Sequence, residues 1–164
     1  MSWESALSLW SLLEGAWNVV TNPIEGETAG GIVGRYYILW AARHGRDMTF
    51  PPPTEEAHSS FLYDEIWTPH HCGAFPDPCD AVAMQCVGNL PWVAGNECLQ
   101  RALSVTVDGD IGPKTLAAIR LWDARELADR ILTEQEAHYI SVNGPELKGL
   151  LNRVSKVRDW LSTS

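Results

Sequence analysis

Apolar residues recur at helical spacing through most of this chain. Between positions 3 and 13, Trp3, Ala6, Leu7, Trp10 and Leu13 share one face, with Ser2 as N-cap and Gly15 as the stop. The pattern lapses over 18–33, where Gly26, Gly30 and Gly31 mark turns and leave room for a short hairpin only. It resumes over 34–44 and stops at Gly45. After three prolines, Thr54 caps a helix whose first turn carries Glu55 and Glu56, the charge favoured at a helix N-terminus. A loop at 68–79 leads into an apolar helix at 80–87 and another at 92–103, with Leu99 and Leu103 facing inward.

The last third is more regular. Pro113 follows a glycine turn at the first helical position, where its missing N–H costs nothing. Thr133 to Glu136 reads Thr-Glu-Gln-Glu, a capping box that predicts a new helix start. Asn143-Gly144-Pro145 breaks that helix, and a final one carries Leu147, Leu150, Leu151, Val154, Val157 and Leu161 on one stripe. Trp3, Trp10, Trp122 and Trp160 lie on apolar stripes and are expected in the core. The fold class predicted is mainly α: a single compact helical domain with a small β-hairpin.

Composition narrows the function classes. At 164 residues the chain fits one domain with a proper core, and 45% hydrophobic with 20% charged residues is a globular balance. A net charge of -9 offers no basic stripe, which argues against a nucleic-acid partner and against docking on anionic membranes. No apolar run is long enough for a membrane anchor, and the N-terminus has an acid where a signal peptide carries basic residues. Neither a signal peptide nor a membrane anchor is therefore expected.

Four cysteines, Cys72, Cys79, Cys86 and Cys98, are expected as free thiols. His70, His71, Cys72 and Cys79 are competent zinc ligands. Their spacing matches no common zinc module, however, and adjacent ligands in a proline-rich loop are geometrically awkward, so neither a metal nor another cofactor is expected.

One acid stands out. Glu14 closes the first helix beside Gly15, where the helix dipole slightly disfavours a negative charge. The residues alone leave two readings: an ordinary charge at a helix end, or an acid at a cleft edge backed by Leu12, Leu13 and Trp17.

Glu14-Gly15-Ala16-Trp17 and Gly26-Glu27-Thr28-Ala29-Gly30-Gly31-Ile32-Val33 resemble two motifs of glycoside hydrolase family 108. These are phage and bacterial lysozyme-like muramidases with a predicted peptidoglycan-binding helical half. In that family a helix ends in Glu-Gly-Gly-Tyr and is followed by a glycine-rich hairpin. Leu62 to Pro69, Asn96 to Ile119 and Leu150 to Arg158 resemble its downstream segments, so the resemblance spans nearly the whole chain.

The resemblance implies an α+β lysozyme-like fold over 1–164, with a catalytic half at 1–79 and a helical half at 80–164 completing the same globule. It implies an enzyme that cuts the β-1,4 bond between N-acetylmuramic acid and N-acetylglucosamine, its partner being the glycan strands of peptidoglycan. Glu14 would then be the general acid, because a glycosidic oxygen leaves well only when protonated. Glu27 and Thr28 would lie across the cleft, orienting and hydrogen-bonding a water, though strand alternation can also send Glu27 outward. Trp17, with Trp92 as a second choice, would stack on sugar, and Gly31, Gln85 and Asn89 would line the substrate.

The chain departs from the family at Ala16, Trp17, Ala29, Gly30 and Val33, which replace Gly, Tyr, Asn, an aromatic and Thr. Gln85 stands where the family has an acid. These changes keep two alternatives in view: a weak or inactive glycan-binding component of a phage particle, and a lytic transglycosylase. For delivery, the resemblance implies residence in the host cytoplasm until release through a holin pore to the periplasm, or carriage with the proteins of a virion.

Overall fold

The computed structural model describes residues 2–15, 19–22 and 25–164. Helix α1 spans Ser2–Glu14 and buries Ala6, Leu9 and Trp10. Ser2 belongs to its first turn, one position inside the expected cap. Gly15 ends the helix with φ +67°, and its N–H donates to Ser11 O at 3.1 Å. This is the left-handed stop that glycine adopts most readily.

The glycine-rich stretch forms more than the expected hairpin. Strands β1 (Val20–Asn22), β2 (Gly26–Ala29) and β3 (Ile32–Val33) make an antiparallel meander in that order. Val20 faces Thr28 across one ladder, and Thr28 faces Val33 across the other. Gly30 and Gly31 both take positive φ in the tight β2–β3 turn, which is why two glycines sit together there.

Helix α2 (Gly34–Arg43) follows directly, and α3 (Glu55–Leu62) begins as expected with Thr54 accepting from the Ala57 N–H at 3.1 Å. α3 then widens into a π-helical turn over Tyr63–Trp67, closed by Thr68 N–H to Tyr63 O at 2.9 Å. The central helix α4 (Cys79–Asn89) is buried at every position from Cys79 to Val87, so its apolar character is not confined to a stripe. It packs on α1 from one side and on α5 (Trp92–Ala102) and α7 (Ala124–Val142) from the other. Pro113 starts α6 (Pro113–Ile119). Helix α8 (Leu147–Thr163) lies against α7 and also reaches α1.

The capping-box expectation at Thr133 fails. α7 starts ten residues earlier, where the Asp123 carboxylate accepts from the Arg125 and Glu126 N–H groups. Thr133 lies mid-helix and donates back to Asp129 O at 2.9 Å. Once Asp123 satisfies the orphan N–H groups, an internal Ser/Thr-x-x-Glu pattern has none left to cap. Asn143 ends α7 at φ +47°, as the Asn-Gly-Pro break predicts.

A single connected core joins Leu9, Trp10 and Trp40 to Leu99, Leu127, Ile131 and Val157. Trp10 is buried within it, while Trp3, Trp122 and Trp160 cover its edges. No helix among the described residues is long and apolar enough to cross a membrane.

Candidate active site

The C-terminal end of α1, the β-meander and the start of α8 enclose a cavity of about 370 Å³. Glu14 lines it from α1, and Thr28, Ala29, Gly30 and Gly31 from β2 and its turn. Val20 and Val33 come from the flanking strands, Gly88 and Asn89 from the end of α4, and Glu25 and Glu146 from the rim. Four residues expected near substrate (Glu14, Thr28, Gly31 and Asn89) are therefore brought together.

Glu14 is held on three sides. Beneath it, a Cβ on Gly31 would fall 2.6 Å from Glu14 Cγ and 2.8 Å from Trp10 Cζ2, so the carboxylate arm occupies the space of the missing side chain. Beside it, Arg153 Nη2 from α8 donates to Glu14 Oε1, and the two side chains keep only 15% and 18% of their surface exposed. Behind the turn, the Gly30 carbonyl accepts from Trp10 Nε1 at 3.0 Å and from His58 Nε2 at 2.9 Å. A carbonyl only accepts, so His58 carries its proton on Nε2 in this bond. Burial holds His58 below the usual histidine range, against the opposing pull of its bond to Gly30 and of the Glu14 charge. His58 is thus a neutral clamp on the turn rather than a second charge beside Glu14.

The remaining residues fall elsewhere. Glu27 is exposed on β2 and does not line the cavity, because alternation turns its neighbour Thr28 inward, where the Thr28 hydroxyl donates to Val20 O at 3.2 Å. The expectation that Gln85 meets substrate is corrected by its burial: it is 1% exposed, and its Nε2 donates to Gln135 Oε1 at 2.7 Å inside the α4–α7 interface. Asn89 instead reaches the cavity while its Nδ2 donates to the Gln85 backbone carbonyl. Trp17 lies outside the described residues. Trp92 is half exposed, with its ring 4.1 Å from that of His70, and does not line the cavity.

The cysteine-rich loop is occupied with packing. Cys72 and Cys79 are buried thiols pushed up by desolvation, and His70 Nδ1 donates to Asn96 Oδ1 at 2.6 Å. Among the described residues, no group of three or more His, Cys, Asp or Glu side chains is placed to hold a metal.

Four contributors escaped the sequence reading. Glu25, just before β2, lines the cavity, and Glu146 does so from just before α8. Arg153 left a usable signal: it stands at helical spacing between Leu150 and Val157, a charge on an otherwise apolar stripe. His58 left the same signal on the buried face formed by Ala57, Phe61 and Leu62.

Comparison with known proteins bears on the C-terminal segment and on the fold. Residues 94–161 match the family described as "Predicted Peptidoglycan domain", a segment running from α5 into α8 that includes Arg153. No curated protein matches the chain. Among solved structures, the chain is similar to the structure of Brucella abortus SagA, at 23% identity and a TM-score of 0.77, over 98% of this chain and 94% of that one. At that identity the likeness is one of fold. The chain has a mainly α, lysozyme-like α+β architecture, and its C-terminal segment is peptidoglycan-related in sequence.

Proposed function

We propose that this protein is a peptidoglycan hydrolase of the N-acetylmuramidase type, acting on the β-1,4 bond as its resemblance to glycoside hydrolase family 108 implies. The observation that carries the reading is Glu14, aimed into a cavity of about 370 Å³ with the Gly31 backbone directly beneath it. A carboxylic acid in that position donates its proton to the departing glycosidic oxygen while the bond to the anomeric carbon breaks. Water then supplies hydroxide to that carbon and returns a proton to the carboxylate. Thr28 and Asn89 are the neutral polar groups available to orient sugar or water, and Glu25 and Glu146 are the further carboxylates at the cleft. The short, glycine-rich floor suits a polymer, since backbone rather than side chains meets the strand.

Replacing Glu14 with Gln removes the proton and keeps the shape. Digestion of purified sacculi per folded molecule of the variant is expected to fall roughly 10²–10⁴-fold. Wild-type digestion by Glu14→Gln would sink the reading.

A second reading draws support from the Arg153 contact. One carboxyl oxygen of Glu14 is engaged by Arg153 Nη2, as suits a glycan-binding protein that holds its strand without turnover. Product analysis separates the readings: reducing ends mark hydrolysis, 1,6-anhydro ends mark a lytic transglycosylase, and bound but intact strands mark a binder. A place in phage lysis or in a virion belongs to this proposal as what the family resemblance implies.

A further inference from the structure

The ion pair between α1 and α8 has no account in stability. Both side chains are largely withdrawn from water, and taking two charges out of water offsets most of what their attraction returns. Arg153 Nε is buried with no hydrogen-bond partner among the described residues, which costs about 1–3 kcal/mol more. An aliphatic residue at 153 would continue the α8 stripe from Leu150 to Val157 with neither cost. An arginine kept where packing disfavours it points to a role in the cleft.

That role follows from what else faces Glu14. His58, from α3, is neutral and committed to the Gly30 carbonyl. Glu25 and Glu146 line the same cavity as acids. Gly31 presents no side chain. Among the described residues, the Arg153 guanidinium is the cation paired with Glu14, and the bond fixes the direction of its carboxyl group.

We infer that Arg153 is a positioning residue for Glu14: the C-terminal helix supplies the cation that sets the rotamer of the acid in the cleft. The inference rests on Glu14 being the general acid. It also gives the peptidoglycan-related segment a part in the catalytic centre itself, because residue 153 falls inside the matched stretch.

The test compares full-length wild type, Arg153→Met, Arg153→Lys and Glu14→Gln. Arg153→Met keeps the length of the stem and removes the charge. Its kcat on soluble glycan strands is expected to fall roughly 10–100-fold with KM within about twofold, the signature of a misaimed group rather than lost binding. Arg153→Lys restores charge without the planar fork and should recover part of the loss. If Arg153 acts through Glu14, adding Arg153→Met to Glu14→Gln should cost no further rate. A further loss in that double variant overturns the inference, as does a wild-type kcat in Arg153→Met or a loss of rate that merely follows the unfolded fraction. Full activity in Glu14→Gln instead overturns the assignment of the acid.

Discussion

Two irregular stretches of this molecule are held in opposite ways. The loop between α5 and α6 is organised by neighbours in sequence. Gln100 Nε2 donates to Asp108 Oδ1 at 2.6 Å and Asp110 O at 2.9 Å, while its Oε1 accepts from the Asp108 and Gly109 N–H groups. Asn96 Nδ2 adds a bond to Gly109 O. The turn between β2 and β3 is held from afar: Trp10 and His58, 20 and 28 residues distant, share the Gly30 carbonyl, and Arg153 reaches Glu14 across 139 residues. The first arrangement is set mainly within one stretch of sequence, with Arg130 and His70 joining at its edges through Ala102 O, Ser104 Oγ and Asn96 Oδ1. The second exists only when α1, α3 and α8 have all docked, so the candidate site is as cooperative as the fold.

The largest effect should come from filling the space under Glu14. Gly31→Ala puts a methyl group at φ +78° into contact with Glu14 and Trp10. Backbone strain alone costs about 1–2 kcal/mol, and Trp10 is buried and cannot swing away. Sacculus digestion is expected to fall at least about 100-fold because the acid is displaced. Gly26→Ala is the control: φ is +85° but, among the described residues, nothing lies within 4 Å of the new methyl group. It should lower the melting temperature and spare the rate per folded molecule. Equal losses of activity in both would mean that strain in the sheet, not room for Glu14, governs the cleft.

The local arrangement should behave differently. Gln100→Ala strips the acceptor from two N–H groups and the donor from Asp108, and is expected to cost about 2–3 kcal/mol of stability. Because the cavity is lined by other segments, digestion per folded molecule should stay at the wild-type level. A fall in kcat beyond the unfolded fraction would tie this loop to the cleft and erase the contrast.

The same contrast explains what could be read from the sequence. Helices were legible where a local rule governs them: Thr54 caps α3, Gly15 stops α1, and Pro113 opens α6. Glu14, Thr28, Gly31 and Asn89 were legible as cleft residues through their motifs. Glu27 was not, because a single peptide of register decides its face, and the turn that sets the register is itself fixed by Trp10 and His58. Gln85 looked polar enough for a ligand, but its partner Gln135 lies 50 residues away on α7. Arg153 and His58 were visible as charges on apolar stripes, a pattern that flags burial without naming the partner. Local chemistry writes itself into neighbouring residues; a cleft assembled from three helices does not.

The smallest effect tests the one helix start that local reasoning misplaced. Asp123 accepts from the Arg125 N–H at 2.9 Å and the Glu126 N–H at 3.1 Å, so Asp123→Ala should cost about 1 kcal/mol. Thr133 sits ten residues into α7, exposed, with its hydroxyl turned back to Asp129 O. Its other contact is with Arg158 Nη2 at 3.3 Å, and Arg158 also pairs with Asp129 and Glu136. Losing a back-bonded, β-branched residue from an exposed helix face gains propensity and forfeits one weak contact, so Thr133→Ala should change stability by less than about 0.5 kcal/mol. Denaturant melts of the two variants measure the difference directly. If Thr133→Ala costs as much as Asp123→Ala, α7 is two helices meeting at Thr133 and the local capping rule outranks the continuous packing of α7 on α4, α5 and α8.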